Sequence, residues 1–473
     1  MNFNNKNRSP KTRNVFDWHF WLWLLTSYLL VLIVAVSSTA WLVRSAVLDG
    51  SRLTKNQKNI VLLVALFPSK VKIAIQDMYL KINGKKMVSE MLIDRSKAEK
   101  PSWVRHFPAR EDKGYLLISG PDSNSKQPAV KLIRIADGVE KARWQPDFFE
   151  INNQMSNKSK GSWINLKAIH PLLLNDGDII FNTSVSLVRQ SICSAKPMWV
   201  VNDIAHHSNE LDENGDAVWS PTVSHDGFPG NLWLKHNIRD DALGHFSLTG
   251  KLLENRSFSN ILIENGLGPL LLGTSGTAIN DDPIHMNQIS VAHSDSRYWR
   301  RGDLLISSRN LSTLFLYRPS TNKILWHQTG PWMNQHSAYF VDDHQISIFS
   351  NNVVSGSPHK IQSFLSKNEI NRVYIFDFDN NKASQPYEKL LAVARPITLT
   401  EGRARILPDG GLFIEETNYG RLLRFTKNQL LWTMVNDYDN RRIGKLSWSR
   451  YLTAEEASKP LKALAAKHCQ ENS

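Results

Sequence analysis

From about residue 100 onward one unit recurs: a Gly or Asp turn, a strand, a second strand, then a tight polar turn and, in several copies, a strand ending in Trp. It reads GYLLISG…VKLIRIADGVEKARW from Gly114 to Trp144, GDIIFNTSVSLV…PMWVV from Gly177 to Val201, and NLWLKHNIRDDALGHFSLTGKLLENRSF from Asn231. It returns as GDLLISSRNLSTLFLYRPSTNKILWHQTG from Gly302 to Gly330, HQISIFSNNVV…NRVYIFDFDNNKA from His344 to Ala383, and GGLFIEETNYGRLLRFTKNQLLWTM from Gly410 to Met434. Repeats of roughly 40–50 residues with several short strands each are the mark of a β-propeller. A blade cannot bury both of its faces alone, so the six copies predict a closed six-bladed ring over residues 100–450 and a tail over 451–473. A pair of β-sandwiches would show less regular spacing. In a ring of blades, function is expected at the central channel.

The fold class predicted is therefore mostly β, preceded by a transmembrane helix and a short juxtamembrane helical region. Residues Trp21 to Val43 read WLWLLTSYLLVLIVAVSSTAWLV, 23 residues without a charge. At about 1.5 Å per residue they can cross a hydrocarbon layer of about 30 Å. Trp18, Trp21, Trp23 and Trp41 stand near the two ends, where interfacial aromatics belong. A cleaved signal peptide would have a shorter apolar stretch and a small-residue cleavage site; SSTA ends at Ala40, but the apolar run continues past it. Lys6, Arg8, Lys11 and Arg13 precede the span. They assign residues 1–20 to the cytoplasm and the remainder to the far side, the periplasm of a bacterial inner membrane. Arg44, Arg52, Lys55 and Lys58 weaken that asymmetry. Within the 44–99 linker, the apolar run Ile60–Phe67 is too short to span and predicts a juxtamembrane helix.

The formal net charge is +13, but the basic residues of the globular part are scattered, without the clustered Lys/Arg and interleaved aromatics that nucleic acid requires. An anionic small molecule or polymer fits the charge better. The two cysteines, Cys193 and Cys469, form no CxxC, which excludes a cysteine zinc site or redox motif. One long-range disulfide and two buried thiols both remain open. GxSxG, GxxxxGK[ST] and GxGxxG do not occur, leaving no hydrolase elbow, Walker loop or dinucleotide fingerprint, and no cofactor is expected. DENGD at Asp212–Asp216 lacks the Glu that closes an EF-hand and reads as a polar turn.

Four segments place polar residues, mostly His, at strand entries or exits: His206 and His207 in IAHHSNELDENGD, His285 and Asn287 in DPIHMNQIS, Arg309 and Asn310 in LLISSRNLST, and Gln335 and His336 in GPWMNQHSAYF. Singly, each His is a hydrogen-bonded turn or core residue. Together, if the ring closes, they converge on one pocket. Imidazoles with one guanidinium and amides suit a tetrahedral oxyanion. Arg supplies fixed bidentate donors, and neutral His serves as a nucleophile or proton carrier near neutral pH. Three His could also bind zinc, but the metal would repel the Arg, and no HExxH or His-x-His pair occurs, so no metal is predicted.

At these residues the chain resembles the bacterial arylsulfotransferase family. The likeness runs from His206 to about Arg424 through HHS…DENGD, DPIHMNQI, GDLLISSRNLSTLFLYRPSTNKILWHQTGPWMNQH and EGRARILPDGGLFIEETNYGRLLRF. It implies a periplasmic six-bladed propeller that moves a sulfuryl group from a phenolic sulfate ester to an acceptor hydroxyl through a sulfohistidine, without a nucleotide. By position, the implied nucleophile is His336. His285 and Asn287 match the element that helps bind the sulfuryl oxygens, Arg309 the arginine that neutralises sulfate charge, and His207, or His206, the earlier channel histidine. Asn310 stands where some members carry His, a short-range cysteine pair is absent, and the anchor is retained. These departures bear on the phenolic substrate rather than the fold. The alternative is a non-catalytic envelope propeller that binds a polymer or partner protein, which needs none of His285, Asn287, Arg309 and His336. A quinone-dependent dehydrogenase propeller would need more blades and a calcium-ligand set that is not found.

Overall fold

The computed structural model describes residues 18–47, the positions 54, 56–57, 60–61, 64, 88 and 91–94, residues 102–106, and residues 112–467 apart from 156–165, 229–237, 274–280, 357–360 and 365–368, together with Cys469. The chain divides into two compact units, Met1–Ile82 and Asn83–Ser473.

The first unit holds a helix over Trp18–Val47, whose stretch Phe20–Ser45 is long and apolar enough to cross a membrane. Its 26 residues reach about 39 Å at ~1.5 Å each, and their side chains are exposed almost throughout. A signal sequence would pass the same test. The basic residues Lys6–Arg13 and most of the predicted Ile60–Phe67 helix lie outside the described residues.

The second unit is a six-bladed propeller, as the repeats predict. Blade 1 joins the C-terminal strand Arg450–Leu452 to Tyr115–Pro121, Pro128–Arg134 and Glu140–Trp144. Blade 2 runs from Ile169–Leu173 through Ile179–Asn182 and Leu187–Gln190 to Trp199–Val200, and blade 3 from Glu210–Leu211 through Ala217–Val223 and Asp241–Ser247 to Leu252–Ser257. Blade 4 comprises Met286–Val291, Leu304–Ser308, Thr313–Arg318 and Lys323–Thr329. Blade 5 comprises Ser337–Phe340, Gln345–Ser350, Arg372–Asp377 and Lys382–Ser384. Blade 6 comprises Arg403–Ile406, Leu412–Glu416, Arg421–Phe425 and Leu430–Val435, with Trp103–Arg105 added at its outer edge. Strands from the two ends of this unit thus close the ring: Tyr451 pairs with Leu116 in blade 1, and Val104 with Thr433 in blade 6.

The second strand of each blade explains why closure is obligatory. Successive side chains on a strand face opposite sides. Ile306 packs toward blade 3 with Trp219 and Leu243, while Leu305 packs toward blade 5 with Ile346 and Ile348. Ile179 joins Leu117 and Val130 of blade 1, and Ile180 joins Val218 and Phe246 of blade 3. Ile118 with Phe413 and Trp432 seals blade 1 to blade 6. Both faces of every such strand are buried, so the repeats read as near-continuous apolar runs.

Each repeat found in the sequence holds the outer strands of its blade. In the third, the strand Ala217–Val223 precedes the expected start at Asn231, and residues 231–237 are outside the described ones. The innermost strands lie between the repeats. The tail carries a helix over Ala454–Ala466, started by a reciprocal Thr453–Glu456 cap, which packs Leu461 and Leu464 on blades 1 and 2. Cys193 and Cys469 form a disulfide that ties this end to blade 2.

Candidate active site

The six innermost strands share one backbone feature. Each carries, just before it or, in blade 2, as its second residue, a non-glycine residue in the left-handed region: His170, His207, His285, Asn334, Glu401 and Trp448, with φ of +52°, +58°, +49°, +51°, +61° and +55°. Such a conformation is uncommon for side chains this large and persists only where the surroundings impose it. Two residues further along stand Leu172, Asn209, Asn287, His336, Arg403 and Arg450. A left-handed residue therefore recurs at the start of all six innermost strands.

Side chains from these lead-ins meet. The Trp448 ring lies 6.2 Å from that of His170, 5.9 Å from His207 and 6.4 Å from His336, and His207 lies 5.0 Å from His285. These five residues come from blades 2, 3, 4, 5 and 1. Blade 6 completes the set through Glu401, whose backbone N–H donates to Nε2 of His336 at 3.1 Å. Lys167, ahead of the blade 2 strand, reaches Glu401 of blade 6 at 3.2 Å, past the blade 1 lead-in that separates them in the ring.

His336 is held in one tautomer. The Asn351 amide donates through Nδ2 to the carbonyls of Thr398 and Glu401, at 3.1 and 2.9 Å, which leaves its Oδ1 as an acceptor. Nδ1 of His336 lies 2.6 Å from that oxygen and must carry the proton. The lone pair is therefore on Nε2, where the Glu401 amide caps it. Burial, the positive charge of Arg309 and the neighbouring His285 hold the imidazole well below its ordinary pKa, against the bond to Asn351. His336 is thus a neutral imidazole at pH 7, and its lone pair is on Nε2.

Arg309 follows the strand Leu304–Ser308 and is only 5% exposed. Its backbone N–H donates to the carbonyl of His285 at 3.1 Å, and its Nη1 to Oδ1 of Asn310 at 2.7 Å. Asn310 donates in turn to the Asp282 carbonyl at 2.6 Å, and the Asp282 carboxylate holds Nδ1 of His285 at 2.5 Å. One set of bonds therefore fixes Arg309, Asn310, Asp282 and His285 together. Burial lowers the pKa of Arg309, opposed by the charge of Asp282, and a guanidinium so desolvated binds an anion strongly.

The other residues singled out in the sequence occupy the same region in different settings. Asn287 is buried, and its Nδ2 donates to the carbonyl of Gln335 at 2.8 Å, tying blade 4 to the residue before His336. Gln335 is buried and donates to the carbonyls of Ser308 and Thr313 at 3.0 and 3.1 Å. His207 belongs to the central cluster, and His206 is buried behind it, their Nδ1 atoms 2.7 Å apart. Away from the axis, Asp342, Asp343, His344, Asp377 and Asp379 bring ligand-type atoms close together at an outer turn of blade 5, and none belongs to this cluster.

Residues 170–437 match the arylsulfotransferase (ASST) family. The chain belongs to the arylsulfotransferase family. The matched region opens at His170 and includes five of the six left-handed lead-ins; Trp448 lies beyond it. Aryl sulfotransferase activity on small-molecule substrates comes with that membership. No curated protein matches the chain. Among solved structures, it is similar to a protein of unknown function from Bacteroides caccae, at 12% identity over 72% of this chain and 99% of that one, with a TM-score of 0.40. It is also similar to TolB from Acinetobacter baumannii, at 9% identity over 72% and 66% of the two chains, with a TM-score of 0.38. Nothing about function follows from likenesses of this size.

Several residues of this cluster escape a reading of the sequence alone: Asp282, Asn351, Glu401, His170 and Trp448. Asp282 stands three residues before His285 in DPIH, a spacing that lets a carboxylate reach the ring within one turn. His170 had a signal in IHPL, which parallels IHMN and HHSN at the other lead-ins. His170 is not an open base, since Nη2 of Arg450 lies 2.9 Å from its Nδ1.

Proposed function

We propose that this arylsulfotransferase works through a sulfohistidine on His336, with its propeller in the periplasm and the Phe20–Ser45 helix as a single-pass anchor. The observation that carries the reading is the tautomer lock on His336: a buried, neutral imidazole with its proton on Nδ1, donated to Asn351, and its lone pair on Nε2, beside a buried arginine. In the first step Nε2 attacks sulfur, the S–O bond to the aryl group breaks with its electron pair going to the aryl oxygen, and the phenolate leaves. In the second, an acceptor hydroxyl attacks the same sulfur and Nε2 is released. Attack requires the Glu401 amide to give up its bond to Nε2, which makes that peptide part of the reaction coordinate.

Arg309 is assigned the equatorial sulfuryl oxygens, where charge concentrates, and fixed donors of this kind contribute most to such transfers. His285, held by Asp282 at Nδ1, is assigned to the same group through Nε2. Asn287 and Asn310 act by holding Gln335 and Arg309 in place. The Cys193–Cys469 disulfide fits an oxidising compartment and so favours the periplasmic side.

The test is turnover of a chromogenic aryl sulfate with a phenol acceptor by the full chain in detergent, beside His336→Ala. Release in the parent and none in the variant is expected. Equal release from both would show that His336 is not the nucleophile.

A further inference from the structure

Two histidine–carboxylate couples face each other in this site, and only one of them touches Arg309. Asp282–His285 is tied to Arg309 and the sulfuryl position. The second couple is deeper and has three members: Asp241, His206 and His207. We infer that Asp241 and His206 form a proton relay for His207, and that His207 takes the proton of the acceptor hydroxyl. The inference rests on the sulfuryl-transfer reading above and adds to it the group that handles the proton.

The geometry leaves little freedom. Two imidazole Nδ1 atoms 2.7 Å apart share one proton, so one ring donates and the other accepts. Nε2 of His206 lies 3.4 Å from Oδ1 of Asp241, a buried carboxylate. That carboxylate also accepts from Nε of Arg239 at 2.8 Å and from the backbone N–H of Met286 at 2.5 Å. Despite its burial, His206, Arg239 and the Met286 amide keep it ionised, well below the usual carboxylate range. A carboxylate facing Nε2 of His206 draws the His206 proton to that nitrogen. Nδ1 of His206 is then the acceptor, the shared proton belongs to Nδ1 of His207, and the lone pair of His207 falls on Nε2. Among the described residues, Nε2 of His207 makes no hydrogen bond. Its ring lies 5.0 Å from that of His285 and 5.9 Å from that of Trp448.

The proton balance closes. As the acceptor oxygen attacks sulfur, the O–S bond forms, the S–N bond to His336 breaks with its electron pair returning to Nε2, and the hydroxyl proton passes to Nε2 of His207. The Nδ1 proton of His207 can then shift to Nδ1 of His206, which moves the positive charge toward Asp241. In the next cycle the proton returns to the leaving aryl oxygen. The relay is needed because His207 is a poor base by itself. Burial, His206, His285, His336 and Arg239 all hold it well below its ordinary pKa, and Asp241 supplies the compensating negative charge from behind.

The experiment uses the full chain and reads the two half-reactions separately. A nitrophenyl sulfate without acceptor gives a burst of phenol release. The sulfurylated enzyme is then mixed with phenols of graded acidity. For His206→Leu, transfer to a weakly acidic phenol should fall by about 10²-fold or more, the usual range for loss of a general base. The burst, whose leaving group needs no proton, should slow far less, and acidic phenols should recover much of the lost rate. Asp241→Asn should show the same steepened dependence on phenol acidity, and His206→Gln, which still accepts from His207 but cannot pass a proton on, should fall between. Equal slowing of burst and transfer with every phenol would reduce the couple to a structural support, and unchanged transfer would remove it from the reaction. No burst in the parent would instead overturn the His336 reading beneath it.

Discussion

The outer strands of each blade and its innermost strand obey different rules. Outward from the axis, paired strands such as Leu304–Ser308 and Thr313–Arg318 bury apolar residues on both faces and lock neighbouring blades together. At the axis the strand entries are polar, left-handed and joined by side-chain hydrogen bonds. Stability and chemistry are thus separated by radius, and the strained inner edge persists because the outer wall fixes the ring around it.

A pair of substitutions, one from each zone, should separate the two zones most widely. His336→Asn should lower transfer by on the order of 10⁴-fold, as loss of a covalent nucleophile does. The far-ultraviolet dichroism and the unfolding midpoint should stay close to those of the parent. Phe315→Ala, in the cluster between blades 3 and 4, should cost about 3–5 kcal/mol of stability in denaturant titration. Its folded fraction should retain near-parental turnover. If the two variants exchanged phenotypes, the radial division would fail.

Arg309→Lys comes next. It keeps the charge but loses the planar fork held beside Asn310, and should reduce the rate by about 10²–10³-fold with little change in the folded baseline. A rate close to the parent's would mean that charge alone is enough at this position.

These effects also mark what could be read from the sequence. The outer strands were legible because burial on both faces leaves a repeated apolar run between turns. His336, Arg309 and His285 were legible because polar residues in similar settings recur between those runs. The innermost strands left no such trace: Arg450–Leu452 is three residues long and pairs with a strand more than 300 positions earlier. Trp448, Glu401 and Asn351 were hidden for the same reason. An aromatic, an acidic and an amide residue share no local pattern, and only closure of the ring brings Trp448 and the Glu401 amide to His336.

A smaller effect should appear in acid. His170 and His336 are buried, with pKa values held well below the ordinary value near 6.5, in both cases chiefly by desolvation. Between that value and their lowered folded ones, the unfolded chain binds protons that the native chain refuses. Their cost to stability is therefore absent above about pH 6.5 and grows as pH falls, by up to about 1.4 kcal/mol per pH unit for each histidine. Urea titrations from pH 7.5 to 5.5 should show this loss, and His170→Gln should flatten part of the slope. A slope unchanged by that substitution would show that His170 is not held neutral.

In the proposed cycle, the sulfuryl group rests on His336 between donor and acceptor. This is tested most directly by mixing the full chain with an aryl sulfate alone, quenching in alkali and mapping the modified peptide. One sulfuryl group on Nε2 of His336, discharged by added phenol and absent from His336→Asn, is the predicted result. A stoichiometric burst of phenol with His336 unmodified, or with the sulfuryl group on another histidine of the ring, would contradict it.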